Sequence, residues 1–144
     1  MDLIIRKATT GDTAAIAKLS TQLGYPISEQ DTETNITTIG QNENEIIMVA
    51  VHEEVVGWIH LFHTTRLESG PFCEIGGMVV DNHHQRLGIG RMLVEAAKKW
   101  CGTKGYSVLR VRSNIKRIAA HQFYLQTGFK ETKQQKIFEL EVTI

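Results

Sequence analysis

The spacing of apolar residues changes along the chain, and each change predicts an element. Leu3-Ile4-Ile5-Arg6 reads as a first strand. Ala15, Ile16, Leu19 and Leu23 recur at helical spacing, so a helix follows, capped at Thr10 with Asp12 in its first turn and stopped by Gly24 and Pro26. Ser28-Glu29-Gln30-Asp31 has the form of a capped start for a second, more polar helix ending near Gly40. From Glu45 the period shortens. Residues 46–51 form a β-rich run, His52-Glu53-Glu54 a turn, and residues 55–62 its partner strand. Ser69-Gly70-Pro71 interrupts the chain, and residues 72–80 give a third strand of the meander. After Gly88, Met92, Leu93, Ala96 and Trp100 share one face of an amphipathic helix that Gly102 or Gly105 stops. Residues 107–112 predict a further strand. Ile118, Ala119, Phe123 and Tyr124 predict a short helix beginning near Asn114 and ended by Gly128. Two short strands, near Phe129 and over 137–142, close the chain.

The predicted order is β-α-α-β-β-β-α-β-α-β-β. Its front half is antiparallel and its back half alternates strand with helix. This implies an α/β fold with one mixed sheet and helices on both faces, residues 1–144 making a single domain. At 144 residues the chain is long enough to bury a core without disulfides or metals. Its formal net charge of +0 leaves no broad basic field, which argues against nucleic acid or an anionic membrane as partner. No apolar run approaches the roughly 18 residues of a membrane span. The opening Met1-Asp2-Leu3-Ile4-Ile5-Arg6-Lys7 lacks signal-peptide order, and Cys73 and Cys101 are too few for a secreted disulfide framework. A cytoplasmic protein with reduced thiols is expected.

Candidate chemistry centres on Gln85-Arg86-Leu87-Gly88-Ile89-Gly90, which lies between the third strand of the meander and the helix that begins with Arg91. Two glycines let the backbone turn several N–H groups the same way, and the helix start adds unpaired donors and partial positive charge. Together these suit a phosphate or pyrophosphate. Several readings compete. A dinucleotide site needs G-x-G-x-x-G, and the third glycine is missing after Gly88-Ile89-Gly90. The P-loop pattern G-x-x-x-x-G-K-S/T does not occur. A glycine-rich helix start without any ligand is another account.

The remaining reading uses more of the chain. Ile75-Gly76-Gly77-Met78-Val79-Val80-Asp81 running into Gln85-Arg86-Leu87-Gly88-Ile89-Gly90 resembles the acetyl-CoA motif of the Gcn5-related N-acetyltransferases (GNAT), written Q/R-x-x-G-x-G/A at the end of a core strand. Ser113-Asn114, Arg117, Ala119-Ala120-His121, Phe123-Tyr124 and Gly128-Phe129 resemble that family's second motif. The resemblance covers essentially the whole chain, including the element order. It implies a GNAT-like acyl-CoA N-acyltransferase fold and an enzyme that moves an acetyl group from acetyl-CoA to a primary amine, on a small molecule or a peptide, by direct transfer in a ternary complex. A non-catalytic acyl-CoA-binding or sensing domain of the same fold is the alternative.

The resemblance also implies residue roles. Glu74 stands in the register of the glutamate that acts as base in the histone acetyltransferase branch. A base is useful because a lysine-like amine has a pKa of about 10.4, and deprotonating it at neutral pH costs roughly 4–5 kcal/mol. The alternative for Glu74 is an exposed strand residue in a salt bridge. Tyr124 matches the tyrosine that protonates the departing thiolate, its alternative being a packed aromatic. The Met78 N–H would face the acetyl oxygen, and Val79 and Val80 would meet the pantetheine. Asn114 would hydrogen-bond the pantetheine arm or cap a helix. Gln85, Arg86, Leu87, Gly88, Ile89, Gly90 and Arg91 would hold the pyrophosphate, with the backbone amides ranked above the arginines.

Other residues change the picture less. His60 and His63 fall on opposite faces of a strand, and His83-His84 lie in a turn. No zinc-binding spacing is present, so no metal is expected. Cys73 has no histidine partner nearby in sequence and reads as an inert thiol rather than a nucleophile. Glu29, Asp31, Glu33, Glu43 and Glu45 make the second helix region acidic, which fits a cationic acceptor and fits a solvated face better. Dimerisation is common among similar proteins, and the sequence leaves a homodimer open.

Overall fold

A computed structural model describes residues 2–84 and 87–143. The chain forms two compact units, Met1–Arg112 and Ser113–Ile144. The first unit is built on a sheet of five strands among the described residues: β1 (Ile4–Lys7), β2 (Glu45–His52), β3 (Glu54–Arg66), β4 (Gly70–Val80) and β5 (Leu109–Val111), in that spatial order. The first four run antiparallel to their neighbours and β5 runs parallel to β4. Helices α1 (Thr13–Gln22) and α2 (Glu29–Gly40) connect β1 to β2, and α3 (Ile89–Thr103) supplies the crossover that the parallel pair requires.

Consecutive β3 residues show which helix covers which face. The Trp58 indole N–H donates to Ser20 Oγ of α1 at 3.2 Å, so Trp58 points to the α1/α2 side. A Cβ on Gly57 would meet Ile89 and Leu93 of α3, each at 3.4 Å, so Gly57 faces the other side. By alternation the fully buried Ile59 and Leu61 lie with Gly57 against α3, whose Leu93, Val94 and Ala97 are also buried. On the opposite face Ala8, Ile16, Ile36 and Val49 form a second cluster.

Two single-residue bulges set the faces. The β2–β3 turn pairs His52 with Glu54 and Val51 with Val55, but Ala50 pairs with Gly57, which leaves Val56 as an extra residue. Likewise His60 pairs with Gly77 and Leu61 with Ile75, leaving Gly76 extra on β4. A Cβ on Gly76 would fall 2.8 Å from His60 Nδ1, and one on Gly77 would fall 3.0 Å from the Trp58 ring. Glycine at both positions allows this close approach.

Most predicted elements form, with local corrections. The first helix region is capped by Thr9, not Thr10. Thr9 opens a 3-10 turn, Thr10–Asp12, through a capping box in which Asp12 Oδ2 accepts from the Thr9 N–H at 2.8 Å. The second helix begins as predicted: Ser28 Oγ accepts from the Asp31 N–H. In the second unit α4 (Ile118–Gln126) starts later than predicted, because Asn114 closes a turn of its own before it. The two closing strands do not form: residues 129–143 carry no regular element. A strand exists only with a ladder partner, and within the second unit this segment has none among the described residues. Its Phe138, Leu140 and Val142 keep the period-2 pattern that prompted the prediction and are exposed.

Asp12 joins β1 to α1. Its two carboxylate oxygens accept from Arg6 Nη1 and Nη2, both at 2.9 Å, and its side chain is buried. The Arg6 hydrogen bonds hold its carboxyl below the ordinary value of 3.8, burial opposing and the Thr9 N–H assisting. A carboxyl with a depressed folded-state pKa contributes stability that is complete above the unfolded value and is lost as pH falls through the depressed one. Asp12→Ala is therefore expected to lose about 1–2 kcal/mol at pH 7 in urea unfolding. The difference from the parent should shrink below about pH 4, and a pH-independent difference would reject this account.

Candidate functional site

The site is built on the far half of β4. Cys73, Glu74 and Ile75 pair with Leu109, Arg110 and Val111, and the described ladder with β5 ends there. From Gly76 onward the described pairing of β4 is with β3. The Asp81 N–H donates to the Val56 carbonyl of β3 at 2.8 Å. Antiparallel strands alternate the direction of their backbone groups, so the Met78 and Val80 groups turn to the side where β5 has ended. This is the geometry required of a backbone donor at Met78. Val79 differs from expectation. Its backbone faces β3, with its carbonyl 3.0 Å from where a Gly57 Cβ would lie, and its side chain is buried. It supports the strand and presents no polar group to the side away from β3.

Beyond β4 the chain passes through a second 3-10 turn, Asn82–His84, held by Asp81. Asp81 accepts from the His83 N–H and meets His84 Nδ1, both at 3.1 Å. Burial pushes the Asp81 carboxyl upward, but these bonds outweigh it and leave its pKa below the ordinary value. Gln85 and Arg86 lie outside the described residues. Gly88 then caps α3 in the left-handed conformation, at φ 81°, without a side-chain cap. The Met92 N–H makes the first backbone bond of the helix, to the Gly88 carbonyl at 3.0 Å. The N–H groups of Ile89, Gly90 and Arg91 precede it and have no intrahelical acceptor. Among the described residues no heavy atom lies within 4 Å of a Cβ built on Gly88. These donors and the helix dipole fit a phosphate group. The Ile89 side chain is buried in the core and only its amide is available, whereas Leu87 and Arg91 are exposed.

Glu74 faces the α1/α2 side of the sheet, opposite Phe62. It is buried, and its Oε1 accepts from Arg112 Nε at 3.2 Å. The nearby Phe72 ring carries the Arg110 guanidinium 4.0 Å from its centroid. The same face holds a pair that the sequence did not reveal. His60 Nε2 lies 2.9 Å from Glu45 Oε1, and each side chain is about a quarter exposed (23% and 24%). Glu45 was assigned to the solvated acidic face with Glu29, Asp31 and Glu33. Those three are exposed as expected, and Glu45 instead turns to the imidazole. A signal was present in the β2–β3 hairpin, which brings the two strands together, but the Val56 bulge hid the register.

In the second unit, Gly128 at φ 106° ends α4 and returns the chain, so that the Phe129 N–H donates to the Tyr124 carbonyl at 3.0 Å. The Tyr124 ring is held edge-on between Phe123 and Phe129, with centroids 5.4 and 5.5 Å away. Asn114 Oδ1 accepts from the Lys116 N–H, and its carbonyl meets His121 Nε2, both at 2.9 Å. Asn114 therefore forms a turn and is not the α4 cap, which is Arg117.

Burial, with Cys101 beside it, pushes the Cys73 thiol up to about 12, which keeps it protonated and unsuited to a nucleophilic role. Among the described residues no three His, Cys, Asp or Glu side chains gather as a metal site, and no helix is long and apolar enough to cross a membrane.

A strand that outruns its β5 ladder and leads to a glycine-capped helix start fits an acyl-CoA-dependent transferase. Residues 13–129 match the acetyltransferase (GNAT) family, and the chain belongs to it as an N-acetyltransferase. It is 27% identical over 133 residues to YhfO, an uncharacterized N-acetyltransferase of Bacillus subtilis (strain 168), covering 88% of this chain and 89% of that one. Among solved structures, aminoglycoside N-acetyltransferase AAC(6')-Iy in complex with a bisubstrate analogue superimposes with a TM-score of 0.88 at 16% identity, over 99% of this chain and 100% of that one. A transcriptional regulator from Bacillus halodurans C-125 gives 0.84 at 23%, over 96% and 100%. At such identities the two structures share the fold alone.

Proposed function

We propose that the protein transfers the acetyl group of acetyl-CoA directly to a primary amine. The observation that carries this reading is the stretch of β4 beyond its described ladder with β5. The Met78 N–H and the Val80 backbone point away from β3 just where the β5 ladder stops, and the same strand leads to the glycine-capped helix start at Gly88. In this reading the amides of Ile89, Gly90 and Arg91 hold the pyrophosphate, and the family motif adds Gln85, Arg86 and Leu87 to them. The Val80 backbone and Asn114 meet the pantetheine, and the Met78 N–H stabilises the oxyanion as the amine attacks. Tyr124 protonates the thiolate that leaves. The proton acceptor is drawn from the α1/α2 face, where Glu74 is the residue the family register nominates.

Free-thiol release from acetyl-CoA, measured over a library of primary amines, tests the reading. Release at least about tenfold above the amine-free rate is expected for some members. Binding of acetyl-CoA without release for any amine would replace transfer by a sensing role. No binding at all would reject the site.

A further inference from the structure

We infer that His60, held by Glu45, is the proton acceptor for the incoming amine, and that the acceptor carries a compact apolar group seated between Trp58 and the isoleucines of α1 and α2. The inference rests on the acetyl-transfer reading and deepens it. Its first support is the dyad. Glu45 Oε1 lies 2.9 Å from His60 Nε2, so a neutral ring keeps its proton on Nε2 and presents the Nδ1 lone pair. Nδ1 lies over Gly76 and has no hydrogen-bond partner among the described residues. His60 pairs with Gly77, and Ile59 with Met78, so the imidazole stands one residue from the amide that meets the acetyl oxygen. Glu74, by contrast, commits Oε1 to Arg112 and is more deeply buried.

The second support is a cavity of about 160 Å³ with a mostly apolar lining, which includes Ile27, Ile36, Ile39, Ile47, Trp58 and His60. An apolar cavity of about 150 Å³ is enough to take benzene. Its polar lining from the covering helices, Ser20, Thr32 and Asn35, is neutral. Among the described residues of the first unit, the charged groups beside His60 on this face are Glu45 on β2, Glu74 on β4 with its partner Arg112, and Arg110 over the Phe72 ring. A polycation would find no carboxylate lining the cavity. A branched alkyl or phenyl group would fill it, leaving the amine at the imidazole.

The step balances without a further reagent. The ammonium gives one proton to His60 Nδ1, and the freed lone pair forms the C–N bond to the thioester carbonyl carbon. The C–S bond breaks with its electron pair on sulfur, which takes the Tyr124 proton. The nitrogen loses a second proton, Tyr124 is reprotonated, and one proton in all passes to solvent.

The test compares isoamylamine and 2-phenylethylamine with spermidine and kanamycin, using acetyl-CoA and thiol release, for the parent, His60→Gln, Glu45→Gln, Glu74→Gln and Ile39→Trp. The parent should favour the apolar amines by about tenfold or more in kcat/KM. His60→Gln should lose about 100-fold in kcat at pH 7, and much less near pH 10, where the amine arrives deprotonated, with the KM for acetyl-CoA unchanged. Glu45, a positioning residue, should show the same pH signature at smaller size. Ile39→Trp, which fills the cavity, should raise KM for the apolar amines alone. Preference for spermidine or kanamycin overturns the acceptor class. A pH signature in Glu74→Gln and not in His60→Gln overturns the base. Either result leaves acetyl transfer standing. No thiol release with any amine removes the transfer reading itself, and this inference with it.

Discussion

Tyr124→Phe is expected to lower kcat by about 100-fold or more while acetyl-CoA affinity stays within about twofold. The expectation rests on a ring with aromatic neighbours on two sides. Phe123 and Phe129 hold it edge-on, and the Gly128 turn locks Phe129 in place through its bond to the Tyr124 carbonyl. Phenylalanine keeps those contacts and removes the acid. Without it the thiolate must leave unprotonated or draw on water. Its conjugate thiol, with a pKa near 8.5 by analogy with cysteine, is acidic enough for some turnover to remain. Acetyl-CoA titration, single-turnover kinetics and urea unfolding together check the claim. Parental kcat would reduce Tyr124 to a packing residue. Equal losses in kcat and stability would point to disturbed packing of α4.

Gly88→Ala should weaken acetyl-CoA binding by about tenfold or more. A left-handed conformation costs an ordinary L-residue roughly 1–2 kcal/mol, and 1.4 kcal/mol is a factor of ten in affinity. Among the described residues nothing lies within 4 Å of the added methyl, so a clash with them is not the cause. The cost arises when the backbone must keep its curl beneath a phosphate. Gly24 supplies a matched control, since it has φ 92°, equally open surroundings and a place after α1, away from the helix start. Gly24→Ala should lose similar stability and leave acetyl-CoA affinity unchanged. If both variants bind like the parent, the helix start is not the phosphate cradle.

Much of this arrangement was legible in short stretches. The strand, glycine loop and helix from Ile75 to Thr103 are specified locally, because left-handed Gly88 and the apolar face of α3 are properties of neighbouring residues. The Phe123-Tyr124 and Gly128-Phe129 pairs are equally local, since one glycine turn brings the aromatics together. Prediction erred by one residue at the Thr9 cap, where adjacent threonines offer the same hydroxyl. Over 129–143 the period-2 pattern stands without a regular element, because such a pattern marks competence for a strand and a ladder partner must come from elsewhere.

The sequence by itself therefore determined most of the elements, the glycine-capped start of α3 and the family, because each follows from contacts within a few residues. Tertiary structure decided how the acceptor face is furnished. An unbulged hairpin paired through His52 and Glu54 would set Glu45 opposite Leu61 and leave His60 on the other face. The extra residue at Val56 instead pairs Glu45 with Phe62 and gathers Glu45, His60 and Trp58 on one side. The Gly76 bulge then carries β4 past His60 in a register that sets Glu74 against Phe62 and Gly77 against His60. Side chains alternate with every residue, so one inserted residue inverts the whole strand beyond it. With Val55, Val56, Ile59 and Leu61 apolar on both sides of the insertion, the hydrophobic pattern carries no mark of where that inversion falls.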